Sequence, residues 1–409
     1  MTNNKIKCPI CGSHTINHFY GFKSGIFDNS SLYTEIILVK CSKCSHIFND
    51  ISIKDLKNLK KYYNNEYSIS NLHSESKTGD MPGTTNSNTN KRHSQLFELI
   101  SPYIDSNLDF KVLDIGCAAG GFLSYLRDTG FRNENLFGLE LSKNYAECAR
   151  SNGFNIQVKD IESVKFNKTK FDIINMDQVL EHCFDINSVF NKVHSILNKD
   201  GIFCIGVPNS LEYKNFPFFP FYWFLLKEHL QHFDIYHLNL LAEKNGFTLV
   251  NYSYTESEMM SEKMILPNLT AVFKKSEKKK RIDYKDAQLS YLRDQLNKYI
   301  RQEIGSNKSV YYSIQPVYKK DVYFWGIHRE FFFIYSNIWK TADNKITLLD
   351  TNKYKQDNLT VDGLPISDPS ILKYASENSV LIITAVAHTD SIKKQAKELY
   401  GFTGSIIEL

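Results

Sequence analysis

Between about residues 110 and 274, short apolar runs alternate with longer amphipathic stretches. The runs are FKVLDIG, NLFGLEL, NIQVKD, FDIINM, GIFCIGVP, FTLVNYSY and LTAVFKK. Runs of this length, rich in β-branched and aromatic residues, read as strands. The stretches between them, beginning near Gly121, Ser142, Ile186 and His237, are long enough for crossover helices. Strands alternating with helices predict an α/β domain with a largely parallel sheet. Ahead of this region, strand formers from Ile36 to Val39 lead to a stretch over 53–66 with apolar and aromatic positions at helical spacing. Behind it, DVYFWGI, KITLLDTNK, ILKYA, SVLIITAVA and GSIIEL begin a second, smaller α/β unit.

The joints are as legible as the elements. SISNLHSESKTGDMPGTTNSNTN is polar and poor in apolar residues, which predicts a long loop, either functional or a tolerated surface insertion. The run KKSEKKKR precedes Leu289, Leu292, Leu296 and Tyr299 at three- and four-residue spacing, so a basic helical linker is expected, its charges on a solvated interdomain face. The chain thus divides into 1–66, 67–91 (flexible loop), 92–274, 275–319 (linker) and 320–409.

Composition narrows the class. A length of 409 residues exceeds one typical domain, and 42% hydrophobic with 23% charged residues is globular. The 49 basic and 45 acidic side chains leave +4, too little to imply a nucleic-acid partner. No apolar run approaches the ~20 residues that cross a bilayer, and the opening lacks the apolar core of a signal peptide, so no membrane span and a cytoplasmic location are expected. Four of the 8 cysteines form two C-x2-C knuckles, Cys8-Pro-Ile-Cys11 and Cys41-Ser-Lys-Cys44. Each knuckle puts two sulfurs on one tight turn, and two such turns close a tetrahedral Zn2+ site with no position left for water. A structural zinc ribbon is expected, with His14 and His46 as bystanders. Cys117, Cys148, Cys183 and Cys204 read as buried thiols.

The segment Val112-Leu113-Asp114-Ile115-Gly116-Cys117-Ala118-Ala119-Gly120-Gly121-Phe122 runs from a strand that ends in an acid, through a glycine-bearing turn, into a helix start. Such a turn places a backbone-lined cleft at the carboxyl edge of the sheet. It is a poor dinucleotide fingerprint, because Ala118 stands where the second glycine belongs and Asp114 would repel a pyrophosphate. The segment resembles motif I of class I S-adenosylmethionine-dependent methyltransferases, with the usual D-x-G-x-G-x-G changed to D-x-G-x-A-x-G. That cofactor carries a cationic sulfonium and an amino group, beside which an acid is physically sensible. The resemblance covers about residues 92 to 274 and implies a seven-stranded Rossmann-like sheet. It also implies a cofactor site of Asp114, Gly116, Cys117, Ala118 and Gly120. Glu140 would hold the ribose hydroxyls with Leu141 beside it in the cofactor site, Asp160 would face the adenine amino group with Ile161 flanking the ring, and Asp177, within the motif FDIINMDQVLEHCFD, would complete the site.

The ribbon and the C-terminal order VYFWGIHREFF, LLDTNKYKQDN, VDGLPISDPSIL, VLIITAVAHTDSI resemble sugar C-methyltransferases. The C-terminal unit itself has no good phosphate loop, since Gly326 is followed by Ile327, His328 and Arg329. What the resemblance implies is methylation of a nucleotide-linked sugar in polysaccharide or deoxysugar biosynthesis, by a chain expected to be a monomer. The loop after the fifth strand, PNSLEYKNFPFFPFYWFLLKEHLQHFDIYHL, roofs the cleft and carries Glu228, His229 and His232. A histidine near its ordinary pKa of about 6.5 can take a proton from the acceptor. His229 is therefore the candidate base, Glu228 its partner and His232 a second candidate. Glu181 and His182 face the same cleft by sequence order and are candidates to bind substrate. Leu226 stands where the sugar C-methyltransferases tend to carry a tyrosine, so O-methylation competes with C-methylation. The aromatic stretch from Phe216 to Phe224 is expected to wall a substrate pocket or face the C-terminal unit. Rival functions are methylation of a small metabolite or lipid-linked acceptor, and a zinc-dependent binding protein without catalysis.

Overall fold

In the computed structural model, which describes residues 6–66, 87–104, 108–215, 222–259, 261–276, 320–339 and 344–409, the chain is organised around three sheets. The expected loop up to residue 86, the linker from 277 to 319 and residues 216–221 of the aromatic stretch lie outside the described residues.

The N-terminal sheet contains β1 (Ile16–Lys23), β2 (Glu35–Cys41) and β3 (Ile47–Asn49). Helix α1 (Ile53–Asn65) follows, capped by Ser52, whose hydroxyl accepts from the Asp55 backbone N–H. Helix α2 (Ser87–Ile100) begins inside the stretch assigned to a loop over 67–91. Its polar first turns hide a helical pattern that only Leu96 and Ile100 complete, both buried against the central sheet.

The central sheet is made of β4 (Val112–Ile115), β5 (Leu136–Leu139), β6 (Asn155–Gln157), β7 (Phe171–Asp177), β8 (Leu197–Pro208), β10 (Phe247–Met259) and β11 (Ser261–Lys275), the seven strands expected. Its order is β10-β11-β8-β7-β4-β5-β6, and β11 runs antiparallel to both its neighbours. Helices α3 (Gly121–Asp128), α4 (Lys143–Ser151), α5 (Ile186–Ile196) and α6 (Ile235–Lys244) begin within two residues of the expected starts. Asp185 and Asp234 cap α5 and α6 with their carboxylates. Alternate strand residues feed two apolar layers: Leu113, Ile174 and Phe203 pack with Phe190 and Val193 of α5, and Val112, Ile173 and Ile202 with Leu123 and Leu126 of α3. The strand order reverses beside β4, so the carboxyl ends of β4 and β7 open a crevice.

One strand was not visible in the sequence. β9 (Gln231–His232), from the loop after β8, pairs with β3 through Ile47–His232 and Phe48–Gln231. The central unit thereby donates the fourth strand of the ribbon sheet, in the order β1-β2-β3-β9.

The C-terminal sheet has β12 (Asp321–Trp325), β13 (Lys345–Leu349), β14 (Thr360–Val361), β15 (Leu364–Ser367), β16 (Val380–Ile383) and β17 (Ser405–Glu408), ordered β14-β15-β13-β12-β16-β17. Helices α7 (Arg329–Ile334), α8 (Lys353–Asn358) and α9 (Thr389–Lys394) accompany it, and ILKYA lies in a 3-10 turn over Pro369–Tyr374. Its first turn is tightly packed, for a Cβ on Gly326 would lie 2.5 Å from the Ala385 Cβ. Asp350, at the end of β13, is already engaged by the Ile327 N–H at 3.0 Å and by Lys355 Nζ at 2.7 Å. Among the described residues no helix is long and apolar enough to cross a membrane.

Candidate active site

The turn after β4 is built from backbone. Gly116 (φ +74°) and Gly120 (φ +84°) take left-handed conformations, and the N–H groups of Gly116 and Cys117 both donate to the Leu139 carbonyl, at 2.8 and 3.0 Å. Ala118 is left-handed too (φ +46°), at the place where the family pattern has glycine. Glu140 straps this turn to the next one: its Oε2 accepts from the Ala118 N–H at 3.0 Å and its Oε1 from the Ser142 N–H at 2.7 Å. The Leu141 N–H also contributes, and of the four lone pairs of the carboxylate this leaves capacity for a ligand hydroxyl. Asp114 is buried and accepts from Asn175 Nδ2 at 2.8 Å. Burial pushes its pKa up to about 7 against the pull of that hydrogen bond, and the charges of Asp177 and Glu140 add to the rise. An acid cluster of this kind favours a cationic ligand.

The other expected cofactor residues are distributed differently. The Cys117 side chain is buried against Gly138, whose Cβ would come within 2.6 Å of its Sγ, so only the Cys117 backbone belongs to the turn. Leu141 is half-buried beside Glu140. Asp160 does not end β6, which stops at Gln157; its Oδ1 accepts from the Ser163 N–H at 2.7 Å and closes a local turn. Ile161 is buried in the core. Asp177 ends β7 in a bidentate pair with Arg92 of α2, at 2.6 and 2.5 Å. A Cβ on the facing Gly206 would lie only 1.8 Å from Asp177 Oδ1, so a side chain there would push that carboxylate aside. Arg92 was missed because nothing near it in sequence marks a partner.

Beyond β7 the crevice continues into a histidine pair. His182 Nδ1 lies 2.8 Å from the Glu228 carbonyl and 2.9 Å from the Tyr63 hydroxyl of α1. The carbonyl can only accept, so Nδ1 carries the proton and Nε2 is left as an acceptor, 3.8 Å from Glu181 Oε1. The His229 ring meets His182 edge to face at 4.9 Å and stacks on Trp223 at 6.3 Å. Burial, helped by His182, His232 and Arg329, holds His229 well below the ordinary histidine range, so it is neutral. Its Nδ1 has no hydrogen-bond partner among the described residues. Glu181 is 1% exposed, and burial pushes its pKa up to about 8.

Two expectations are corrected here. Glu228 is not the carboxylate partner of His229: its Oε1 pairs with Arg329 Nη2 of the C-terminal unit at 3.2 Å, and that guanidinium keeps it ionised despite burial. His232 sits in the seam between β9 and β3, its ring against Phe224 at 4.8 Å, and burial pushes its pKa down to about 3. Trp223 and Phe224, from the aromatic stretch, pack with Ile47, Leu38 and Phe333, where ribbon and C-terminal unit meet.

The four ribbon cysteines converge. Their sulfurs all lie within 4.8 Å of one another, with Cys8 to Cys44 at 3.6 Å and Cys11 to Cys41 at 3.5 Å. The knuckles repeat one turn: Cys8 N donates to Ser13 O and Cys41 N to His46 O, and each knuckle is followed by a left-handed residue, Gly12 or Ser45. The cluster is compatible with a metal ion held by four thiolates. It is tied to the rest of the chain by His237 Nε2 to the Cys44 carbonyl at 2.7 Å and Gln231 Oε1 to His46 at 2.9 Å.

Residues 86–252 match the family described as methyltransferase domain. The matched segment covers 167 of the 409 residues. It spans α2 through the first half of β10 and contains both the glycine turn and the histidine pair. A curated relative, the ribosomal RNA large subunit methyltransferase E of Brachyspira hyodysenteriae (strain ATCC 49526 / WA1), is 25% identical over 116 residues, or 26% of this chain, and the chain spans 60% of that relative's length. Among solved structures, magnesium protoporphyrin IX methyltransferase of Synechocystis PCC 6803 with bound S-adenosylmethionine is similar over 55% of this chain and 99% of its own, at 13% identity and a TM-score of 0.37. The N-methyltransferase NodS of Bradyrhizobium japonicum WM9 with S-adenosylhomocysteine is similar over 54% and 98%, at 17% identity and a TM-score of 0.38.

Proposed function

We propose that the chain transfers the methyl group of S-adenosylmethionine to a sugar, most simply a nucleotide-linked one, with His229 as the base. The observation that carries the cofactor half is the strap from Glu140 to the Gly116–Gly120 turn, with Asp114 buried beside it. When bound, the cofactor would supply an electrophilic methyl on a sulfonium. Glu140 keeps lone pairs for ribose hydroxyls, Asp114 and its acid neighbours suit the cationic end, and the glycine turn lets backbone approach closely. Leu141, Asp160 and Ile161 would form the adenine side, Asp160 only by releasing its local turn.

For the acceptor, a cleft walled by Phe27, Tyr62, Lys227, Glu228, Arg329 and Phe332 opens at Glu228, the residue before His229. Aromatic walls beside Lys227 and an Arg329 that shares its charge with Glu228 suit a polar ring such as a sugar. His229 is neutral and would take a proton from the hydroxyl or enolisable carbon, as a weaker base than a free imidazole because burial lowers its pKa, and His182 lies against it to position the substrate. Leu226 is buried and offers no hydroxyl, which favours an oxygen acceptor. The four-cysteine cluster would hold a structural Zn2+, with no step of the reaction passing through it.

Calorimetric titration of the full chain with S-adenosylmethionine tests the cofactor half. Binding is expected in the wild type and lost in Glu140→Ala, and a wild type that binds none would sink the reading. Metal analysis should find one zinc per chain, released in Cys11→Ala. A folded chain free of transition metal would remove the zinc.

A further inference from the structure

We infer that Arg329, contributed by the C-terminal unit, is a positioning residue for the histidine pair, acting through Glu228. This rests on the reading of His229 as the base and adds a role for the C-terminal unit.

The geometry forms a continuous path. Arg329 Nη2 reaches Glu228 Oε1 at 3.2 Å, and the Glu228 backbone carbonyl is the acceptor that fixes the His182 proton on Nδ1. His182 in turn packs edge to face on His229 at 4.9 Å. One residue therefore binds the C-terminal unit with its side chain and orients the imidazole with its main chain. The groups around the pair are Tyr63 from α1, Glu181 from the turn after β7, Lys227, Glu228 and His232 from the loop after β8, and Arg329 from α7. In this setting Glu228 is the nearby anion that would favour imidazolium at His182, and Arg329 opposes it. With the guanidinium in place the carboxylate charge is compensated and both rings stay neutral, the form in which a base can accept a proton. Without it, a buried carboxylate would stand unpaired next to two imidazoles, and it would be relieved either by taking a proton or by drawing one onto His182.

The test uses the full chain labelled at histidine, with the ring signals of His182 and His229 assigned through His182→Gln and His229→Gln. The signals are followed from about pH 4 to about pH 9, spanning the ordinary histidine range. In Arg329→Ala, His182 is expected to titrate about one unit higher than in the wild type and to lose its fixed Nδ1–H form, with His229 following in the same direction. Arg329→Lys, or guanidinium added to Arg329→Ala, should move both back toward wild type. Titrations unchanged in Arg329→Ala would overturn the inference. So would a shift that neither lysine nor guanidinium reverses, because that is general loosening. Failure of the cofactor to bind would leave these signals as they are, so the two ideas fail separately.

Discussion

Gly116→Ala separates the two demands that the cofactor turn makes on its first glycine. The backbone there is left-handed (φ +74°), which costs a residue with a Cβ about 1–2 kcal/mol. The new Cβ would also lie 2.3 Å from Val179 Cγ2, an overlap that real side chains do not tolerate, and relieving it by moving Val179 or the turn costs about 1–3 kcal/mol. Together these give a loss of about 3 kcal/mol, or a fall in Tm on the order of 6–12 °C for a domain of this size. The second variant is Val179→Ala, which removes the offending methyl groups. In the double variant the overlap disappears and the backbone cost stays. The pair should therefore show a favourable coupling of about 1–3 kcal/mol in a double-mutant cycle measured by urea unfolding. Cofactor affinity should fall in Gly116→Ala and recover only in part in the double variant, because the turn remains strained. A Gly116→Ala chain as stable as wild type, or additive single effects, would refute this account of the turn.

Arg92→Ala leaves the Asp177 carboxylate without its bidentate partner, each side chain being only 16% exposed, and should cost about 3 kcal/mol by urea unfolding; a loss within about 0.5 kcal/mol of zero would show the pair to be a surface bridge. Glu181 keeps its proton in the fold up to about pH 8, whereas the unfolded chain releases it near 4.5. Wild-type stability is therefore drained as pH rises between those values, and Glu181→Gln, which has no proton to lose, should gain on wild type by up to ~5 kcal/mol across the window. A stability difference that stays constant with pH would mean that Glu181 is ionised in the fold.

Much of the fold was legible because its signals are local. Most of the seven central strands contain an apolar run whose burial needs no knowledge of its partners, and Ser142, Asp185 and Asp234 cap helices from the residue next to them. The glycine turn was legible for the same reason, since Gly116 and Gly120 answer to their own backbone angles. The start of α2 was not, because its polar first turns look like a loop until Leu96 and Ile100 find the sheet. In the site, Glu140 was recognisable at its strand end, whereas Asp160 was given the same logic and turned out to serve a local turn.

The sequence by itself determined the parallel sheet, the glycine turn with its acids and the spacing of four thiols, because periodicity, backbone conformation and ligand spacing are properties of neighbouring residues. Only the tertiary structure decided where the side chains of the loop after β8 point. Glu228 turns to Arg329, 101 residues away, His232 becomes part of a strand with the ribbon, and Arg92 crosses 85 residues to Asp177. Such pairings follow from which buried charges and unpaired backbone groups the packed units bring within reach of each other, and no local pattern encodes that.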